Sequence, residues 1–471
     1  MKPKDFALIL VICIALMMQA CSGAVTGSAR PPATVFINPV YTPPSSANSQ
    51  SSSTSQTQGT PQVGLFITST SSYTDSLGNF HVVGEIKNGE PQTLTDMELT
   101  LIVKDADGKT LLSDPNQKPV DSLIFSPEMN NLAAGETSPF ETIVDAIVGI
   151  PAKFDVTVTG QQTSTLVRPK IRIMHTQMKP STNNSYFITG EVVNLSDQPV
   201  RIHALAGAML DSNNNVISSA ASLDYSAYLE PAGDSNDMDT TPFIIMVDNP
   251  GSSPAHWKTY LDAEAIDPIN GFDVSIDISN HYMDDNNIIH IIGSVTNNTQ
   301  SVLLMTIVAG LYDGDGSVLD AYASITPVHV APGENVPYDI STFGNVNNNA
   351  TEAARLDNFS VQIDSDNTWE PSIETVDLSA SNGKVEKNGN TWTFTGQVTN
   401  TSAQVLSSET VVVTMYDENN TIMAMNWLDL FPSGNSIASG EVLDYSIDVY
   451  LDPEGESSNY TYITLVQGDV K

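Results

Sequence analysis

Apolar and polar side chains alternate along four short stretches of this chain. Phe80, Val82 and Ile86 share a parity, as do Tyr186, Ile188 and Val192, then Ile289, Ile291 and Val295, and finally Trp392, Phe394 and Val398. Period-two spacing places each trio on one face of a β-strand. The opposite face is mixed, with His81, Glu85 and Lys87 in the first copy and Thr393, Thr395 and Gln397 in the last. This predicts sheets with one face on a core and the other nearer water. Every stretch contains a glycine and ends in asparagine: Gly84 and Asn88, Gly190 and Asn194, Gly293 and Asn297, Gly396 and Asn400. The glycines recur at intervals of 106, 103 and 103 residues, which makes the chain a tandem repeat. Glycine on the buried face predicts close approach of a backbone or a ring. The asparagine predicts a left-handed strand end.

Two further features travel with each copy. A second alternating stretch ends in an aspartate and a polar turn, at Asp105, Asp211, Asp313 and Asp417. A glycine followed by an acid comes later, as Gly135-Glu136, Gly233-Asp234, Gly333-Glu334 and Gly440-Glu441. An aromatic lies five residues beyond that glycine in three copies (Phe140, Tyr338, Tyr445) and ten beyond it in the second (Phe243). Short strands broken by such turns, with almost no helical periodicity, predict an all-β tandem array of four immunoglobulin-like β-sandwich domains. The boundaries fall near Arg168-Pro169, Asn270-Gly271 and Glu370-Pro371, giving repeats over 63–168, 169–270, 271–371 and 372–471.

Leu311-Tyr312-Asp313 after the third Gly-x-Val-x-Asn strand, followed by Ala331-Pro332-Gly333-Glu334, resembles the FxLYD-type repeat of bacterial surface proteins. Met415-Tyr416-Asp417 is a near copy, whereas the phenylalanine position holds Leu101, Gly207, Ala309 and Val413. The resemblance implies an extracellular immunoglobulin-like module without assigned catalysis. The N-terminus agrees with an exported chain. Lys2 and Lys4 precede an uncharged apolar run, Phe6–Met18, of 13 residues. A membrane-spanning helix needs about 20, so the run suits a secretory signal. The sequence Met18-Gln19-Ala20-Cys21-Ser22 resembles a bacterial lipobox. That implies a signal peptide over 1–20, cleavage after Ala20 and lipid on Cys21. Residues 21–62 then read as a Ser-, Thr- and Pro-rich flexible linker. Cys13 lies inside the apolar run, so the mature chain keeps a single cysteine and forms no internal disulfide.

Composition narrows the function. With 18 Lys and Arg against 55 Asp and Glu, the net charge is −37. Such a chain is repelled by nucleic acid and by anionic lipid, so membrane contact is expected through the lipid alone. Asp105-Ala106-Asp107-Gly108 and Asp313-Gly314-Asp315-Gly316 look like the start of a calcium loop. The position that calls for a bidentate glutamate holds Asn116 or Ser324, so both read as hairpin turns. Asp234, Asp237 and Asp239, in the long loop of the second copy, and Asp284-Asp285 are the remaining metal candidates. The seven histidines lack the spacing of a helical zinc site, and no nucleophile elbow, P-loop or dinucleotide fingerprint occurs. No cofactor is expected. Trp257 and Trp369 stand outside the shared features, as interdomain packing or as platforms for a glycan. The expected protein is a non-enzymatic, lipid-anchored cell-surface protein whose repeats space, scaffold or bind other envelope components. The alternative is a lipoprotein that captures glycan or calcium at a domain junction.

Overall fold

The structure, a computed structural model, describes residues 64–471 apart from 76–77, 114–117, 145–146, 148, 163–165, 167, 182–183, 223, 234–237, 270–271, 285–287, 342–349, 432–435 and 453–459. The expected signal peptide, Cys21, the linker, Asp234, Asp237 and the boundary at 270–271 lie outside the described residues.

The first six strands are β1 (Leu65–Thr74), β2 (Phe80–Asn88), β3 (Leu94–Lys104), β4 (Leu123–Phe125), β5 (Thr137–Val144) and β6 (Lys153–Gln162). They form two three-stranded sheets, β1-β2-β5 and β4-β3-β6. The second group is β7 (Ile171–Pro180), β8 (Ser185–Asn194), β9 (Val200–Leu210), β10 (Val216–Ala221), β11 (Tyr228–Leu229), β12 (Thr240–Asp248) and β13 (His256–Ala265). Here β8 is central between β7 and β12, and β9 pairs with β10, β11 and β13. The third is β14 (Val274–Met283), β15 (Ile289–Asn297), β16 (Leu304–Asp313), β17 (Val318–Ile325), β18 (Asn335–Ser341), the one-turn helix α1 (Ala350–Ala353) and β19 (Leu356–Trp369). Its sheets are β14-β15-β18 and β17-β16-β19. The last is β20 (Thr375–Leu378), β21 (Ala380–Asn388), β22 (Thr391–Thr399), β23 (Leu406–Tyr416), β24 (Ile422–Leu430), β25 (Val442–Tyr450) and β26 (Thr461–Val470). Its sheets are β21-β22-β25 and β20-β26-β23-β24. All pairings between these strands are antiparallel. The fold is therefore all-β, four immunoglobulin-like sandwiches in tandem, here called modules 1 to 4.

The repeated residues hold equivalent places. Gly84 faces Phe140 across the β2–β5 pair, and Gly190, Gly293 and Gly396 face Phe243, Tyr338 and Tyr445. A Cβ on Gly84 would meet a Phe140 ring atom at 2.5 Å, and one on Gly396 would meet Tyr445 at 2.7 Å. Each ring thus occupies the space over the strand where a side chain is missing. The ten-residue spacing of Phe243 is a loop insertion that leaves its register unchanged.

The asparagines differ from expectation. None has positive φ. Asn88, Asn194, Asn297 and Asn400 are fully buried. The Asn297 amide donates to Ser301 O and Val330 O at 2.8 Å each, and its oxygen accepts the Thr299 N–H at 2.9 Å. The other three make the same set. The asparagine is a clamp between loops, its amide adding a second hydrogen bond to carbonyls such as Leu132 O, Val330 O and Ile437 O that already accept a backbone N–H. Both amide hydrogens are used inside the fold, so the N-x-Ser/Thr triplets at 194, 297 and 400 are structural.

The turn aspartates are also alike. Asp105 Oδ1 accepts the N–H groups of Asp107 and Lys109, and Asp211, Asp313 and Asp417 do the same two and four residues on. These are Asx turns closing a hairpin. Such backbone bonds hold the Asp211, Asp313 and Asp417 carboxyls below the ordinary range, outweighing the opposing effect of burial.

Candidate functional site

The outer face of the first sheet in modules 1 to 3 is not solvated in the manner the alternation suggests. The edge strand β10 of module 2 lies against β1, β2 and β5 of module 1. β17 of module 3 lies against β8 and β12 of module 2, and β24 of module 4 against β14, β15 and β18 of module 3. The same pair of surfaces is used three times. β9 shows how a period-two strand serves two cores at once. Leu205 and Met209 belong to the core of module 2, while Ala204, Ala206, Ala208 and Leu210 belong to the apolar cluster that contains Val83 of module 1. Small side chains let the sheets approach closely.

A side-chain clip sits at each junction. Asp262 on β13 accepts the Asn131 N–H and side-chain amide of module 1 at 2.9 Å each. Asp364 on β19 accepts the Ala227 N–H of module 2 at 2.8 Å. Gln467 on β26 accepts the His329 N–H of module 3 at 2.8 Å and donates to its carbonyl at 3.1 Å. The three occupy one strand position, opposite Ala204, Thr306 and Thr410 in their central strands. Module 1, which has no described predecessor, carries exposed Thr159 there. Burial raises the Asp364 carboxyl to about 6, against the hydrogen bonds from Ala227 and Asn367. Cations complete two of the clips. Arg168 donates to Asp262 Oδ1 at 2.6 Å and to Glu136 Oε2 at 2.7 Å, tying modules 1 and 2. Arg201 makes a bidentate pair with Asp366 between modules 2 and 3.

Two junctions also contain a buried histidine. His81 lies with Nδ1 2.6 Å from Glu141 Oε1 and Nε2 3.4 Å from Asp75 Oδ2, and the Tyr73 ring stacks on it at 4.3 Å. Glu141 reaches across and accepts the Ser219 N–H of module 2 at 2.6 Å. His290 of module 3 repeats the arrangement, with Asp339 at 2.8 Å, Asp284 at 3.8 Å and Tyr282 stacked at 4.8 Å. Tyr282 donates to Tyr450 O of module 4 at 2.6 Å. Burial disfavours both imidazolium ions, but the flanking carboxylates outweigh it and raise both groups above the ordinary histidine value. Module 2 has Phe187 in this place, packed with Ile244 on Ala321 of module 3.

Among the described residues no group of three or more His, Cys, Asp or Glu side chains is arranged to hold a metal ion. Asp239 is the described member of its cluster, and its carboxylate accepts the Gly233 N–H at 2.9 Å and the Thr240 hydroxyl at 3.2 Å. Trp257 packs on the core of module 2, and Trp369 pairs opposite Leu304 at the end of β19. His81, His290, Asp262, Asp364 and Gln467 were not singled out by the repeat. Their sequence signal was present but faint: histidine three residues before the repeat glycine in copies one and three, and an acid or amide in the last strand of copies two to four.

No protein family matches the chain, and no curated protein does. Among solved structures, the native conformation of Escherichia coli alpha-2-macroglobulin aligns over 84% of this chain at 7% identity with a TM-score of 0.12. The chain covers 28% of that protein's length.

Proposed function

We propose that the chain is a non-enzymatic, lipid-anchored envelope protein whose modules, similar to FxLYD-type repeats, scaffold other envelope components. The supporting observation is the junction geometry. Three successive junctions reuse one pair of faces and one clip position, as expected of a protein whose product is an ordered series of surfaces. An enzyme would concentrate reactive groups in one cleft. In this reading Cys21 carries the anchor, and the acidic modules stay clear of anionic lipid by charge repulsion while the acyl chains hold.

The test is membrane fractionation of cells carrying the wild-type chain or Cys21→Ala. The wild type is expected in the membrane fraction and Cys21→Ala in the soluble one. Retention of Cys21→Ala in the membrane overturns the anchor. Crosslinking of the full chain on the native envelope, followed by identification of adducts, tests the scaffold. A reproducible protein or glycan adduct is expected, and none at any module overturns it.

A further inference from the structure

His81 and His290 stand three residues before the repeat glycines Gly84 and Gly293, and Glu141 and Asp339 directly follow the ring residues Phe140 and Tyr338. The two buried pairs therefore occupy one structural position. In module 2 the same two places hold Phe187 and Ile244, which pack with Ala321 of module 3. The junctions of modules 1 with 2 and 3 with 4 are thus built on an imidazole and a carboxylate, and the middle junction on apolar side chains.

At the first junction the His81 side chain is 1% exposed and that of Glu141 9%. Glu141 accepts the Tyr73 hydroxyl at 2.6 Å within module 1, and the Ser219 N–H at 2.6 Å and the Ser218 hydroxyl at 3.2 Å from module 2. The carboxylate that ties the modules together is therefore the one that an imidazolium neutralises. The other charged groups facing the pair are carboxylates. Asp75 lies beside His81 Nε2, Glu128 acts on the same site through Glu141, and Asp248, at the exposed end of β12 in module 2, feels the charges on Glu141, His81 and Asp75. At the last junction His290, Asp339 and Asp284 are likewise buried. Tyr282, stacked on His290, donates across the junction to Tyr450 O. Burial first, and then Asp339, Asp284 and Asp452 of module 4, raise the Tyr282 phenol, so it remains a donor in alkali. A neutral imidazole would leave Glu141 or Asp339 as a buried carboxylate without its counter-ion and beside like charges, an arrangement that strongly destabilises whatever it joins.

We propose that the first and last junctions are proton-held joints, closed while His81 and His290 are imidazolium ions and loosened when they are neutral, and that the middle junction is a fixed link. Modules 2 and 3 then stay a rigid pair at all pH values, and modules 1 and 4 gain freedom in alkali. The flanking carboxylates hold the protons on, so loosening comes as pH rises above the ordinary histidine value of about 6.5. This goes beyond the anchoring and scaffold reading and stands or falls independently of Cys21.

The test uses the full chain in detergent with Cys13→Ser and Cys21→Ser. Asp107→Cys, Asn213→Cys, Asp315→Cys and Asn419→Cys, at one exposed turn position in each module, are introduced as neighbouring pairs and spin-labelled. Electron–electron double resonance then gives the distance distribution across each junction at about pH 6 and about pH 9. The distributions across the first and last junctions should widen at least about twofold at the higher pH, and the middle one should stay as it is. His81→Gln should give the wide distribution at the first junction at both pH values while the last junction keeps its response. His81→Phe with Glu141→Ile, which installs the residues of module 2, should give a narrow distribution at both. Equal widening at all three junctions, no widening at the first and last, or a pH response that survives the Phe and Ile exchange each overturns the proposal.

Discussion

At the scale of single residues, the four repeat glycines are equivalent in sequence but not in tolerance. A Cβ at Gly84 would lie 2.2 Å from Ser69 O, and one at Gly293 1.9 Å from Asp277 O. At Gly396 the nearest atoms all belong to the Tyr445 side chain. A ring can rotate away, and a paired strand cannot. Gly84→Ala and Gly293→Ala should therefore lose about 1–3 kcal/mol, and Gly396→Ala clearly less, in urea denaturation. Equal losses at all three would show that the ring sets the cost. Glu409 is the second residue with a clear prediction. It is fully buried on β23, and neither carboxylate oxygen has a hydrogen-bond partner. The same strand position, eight residues before the turn aspartate, holds Met97 and Met305 in modules 1 and 3. Burial, with Glu441 nearby, raises the Glu409 carboxyl to about 7. A raised acid is neutral in the fold and must ionise as pH rises from its unfolded value through 7, so it costs stability there. Glu409→Met should stabilise the protein by about 1–3 kcal/mol at pH 8 and by much less at pH 5, read from urea midpoints at the two pH values.

At the scale of elements, the period-two pattern made the core face of β2, β8, β15 and β22 legible, because burial against the partner sheet is a local property of alternation. Phe80, Val82 and Ile86 are buried as their parity requires. The opposite face misled. His81, Val83, His290 and Ile292 are also buried, because the next module covers them. Alternation carries no record of which strand from another hundred-residue unit will lie on a face. The clips escaped for a related reason. Asp262 and Asp364 resemble any surface acid in sequence, and only the strand register brings them to the preceding module's loop. Asp262 is fully buried, with Arg168 as its cation. Arg168→Ala leaves that carboxylate buried without its counter-ion, at a cost of about 3–5 kcal/mol. The loss should appear as separation of module 1 unfolding from the rest in calorimetry. A single shifted transition would mean that the apolar packing of β9 and β10 holds the junction alone.

At the scale of the whole molecule, the titrating groups combine in one direction. Asp211, Asp313 and Asp417 are lowered, so their contribution is present above the ordinary carboxylate value and lost as pH falls through the folded one. His81 and His290 are raised. Their contribution is full below about 6.5 and lost as pH rises through the folded value. Asp224 and Asp364, each raised to about 6, are neutral in the fold at low pH, so their contribution falls between the ordinary carboxylate value and about 6 and tilts the optimum toward its acid end. Stability should peak at about pH 4–6 and decline above neutrality. His81→Gln with His290→Gln should flatten the decline above pH 6, measured as urea midpoint against pH. An unchanged slope would assign it to the buried acids instead. The two ends of the series carry a different consequence. A junction that joins unlike faces has no geometric reason to stop, because each added unit presents the same acceptor face again. Here the final acceptor face carries the polar pairs Thr393 with Asp448 at 2.7 Å and Gln397 with Asp444 at 2.8 Å, and Thr395 stands between them where modules 1 and 3 have Val83 and Ile292. The first donor edge, β4, is three residues long, and Ile124 at its centre is exposed. Both differ in side chains from the faces that meet at the internal junctions. The described modules share the bonding rule of a filament, one donor edge on one acceptor face.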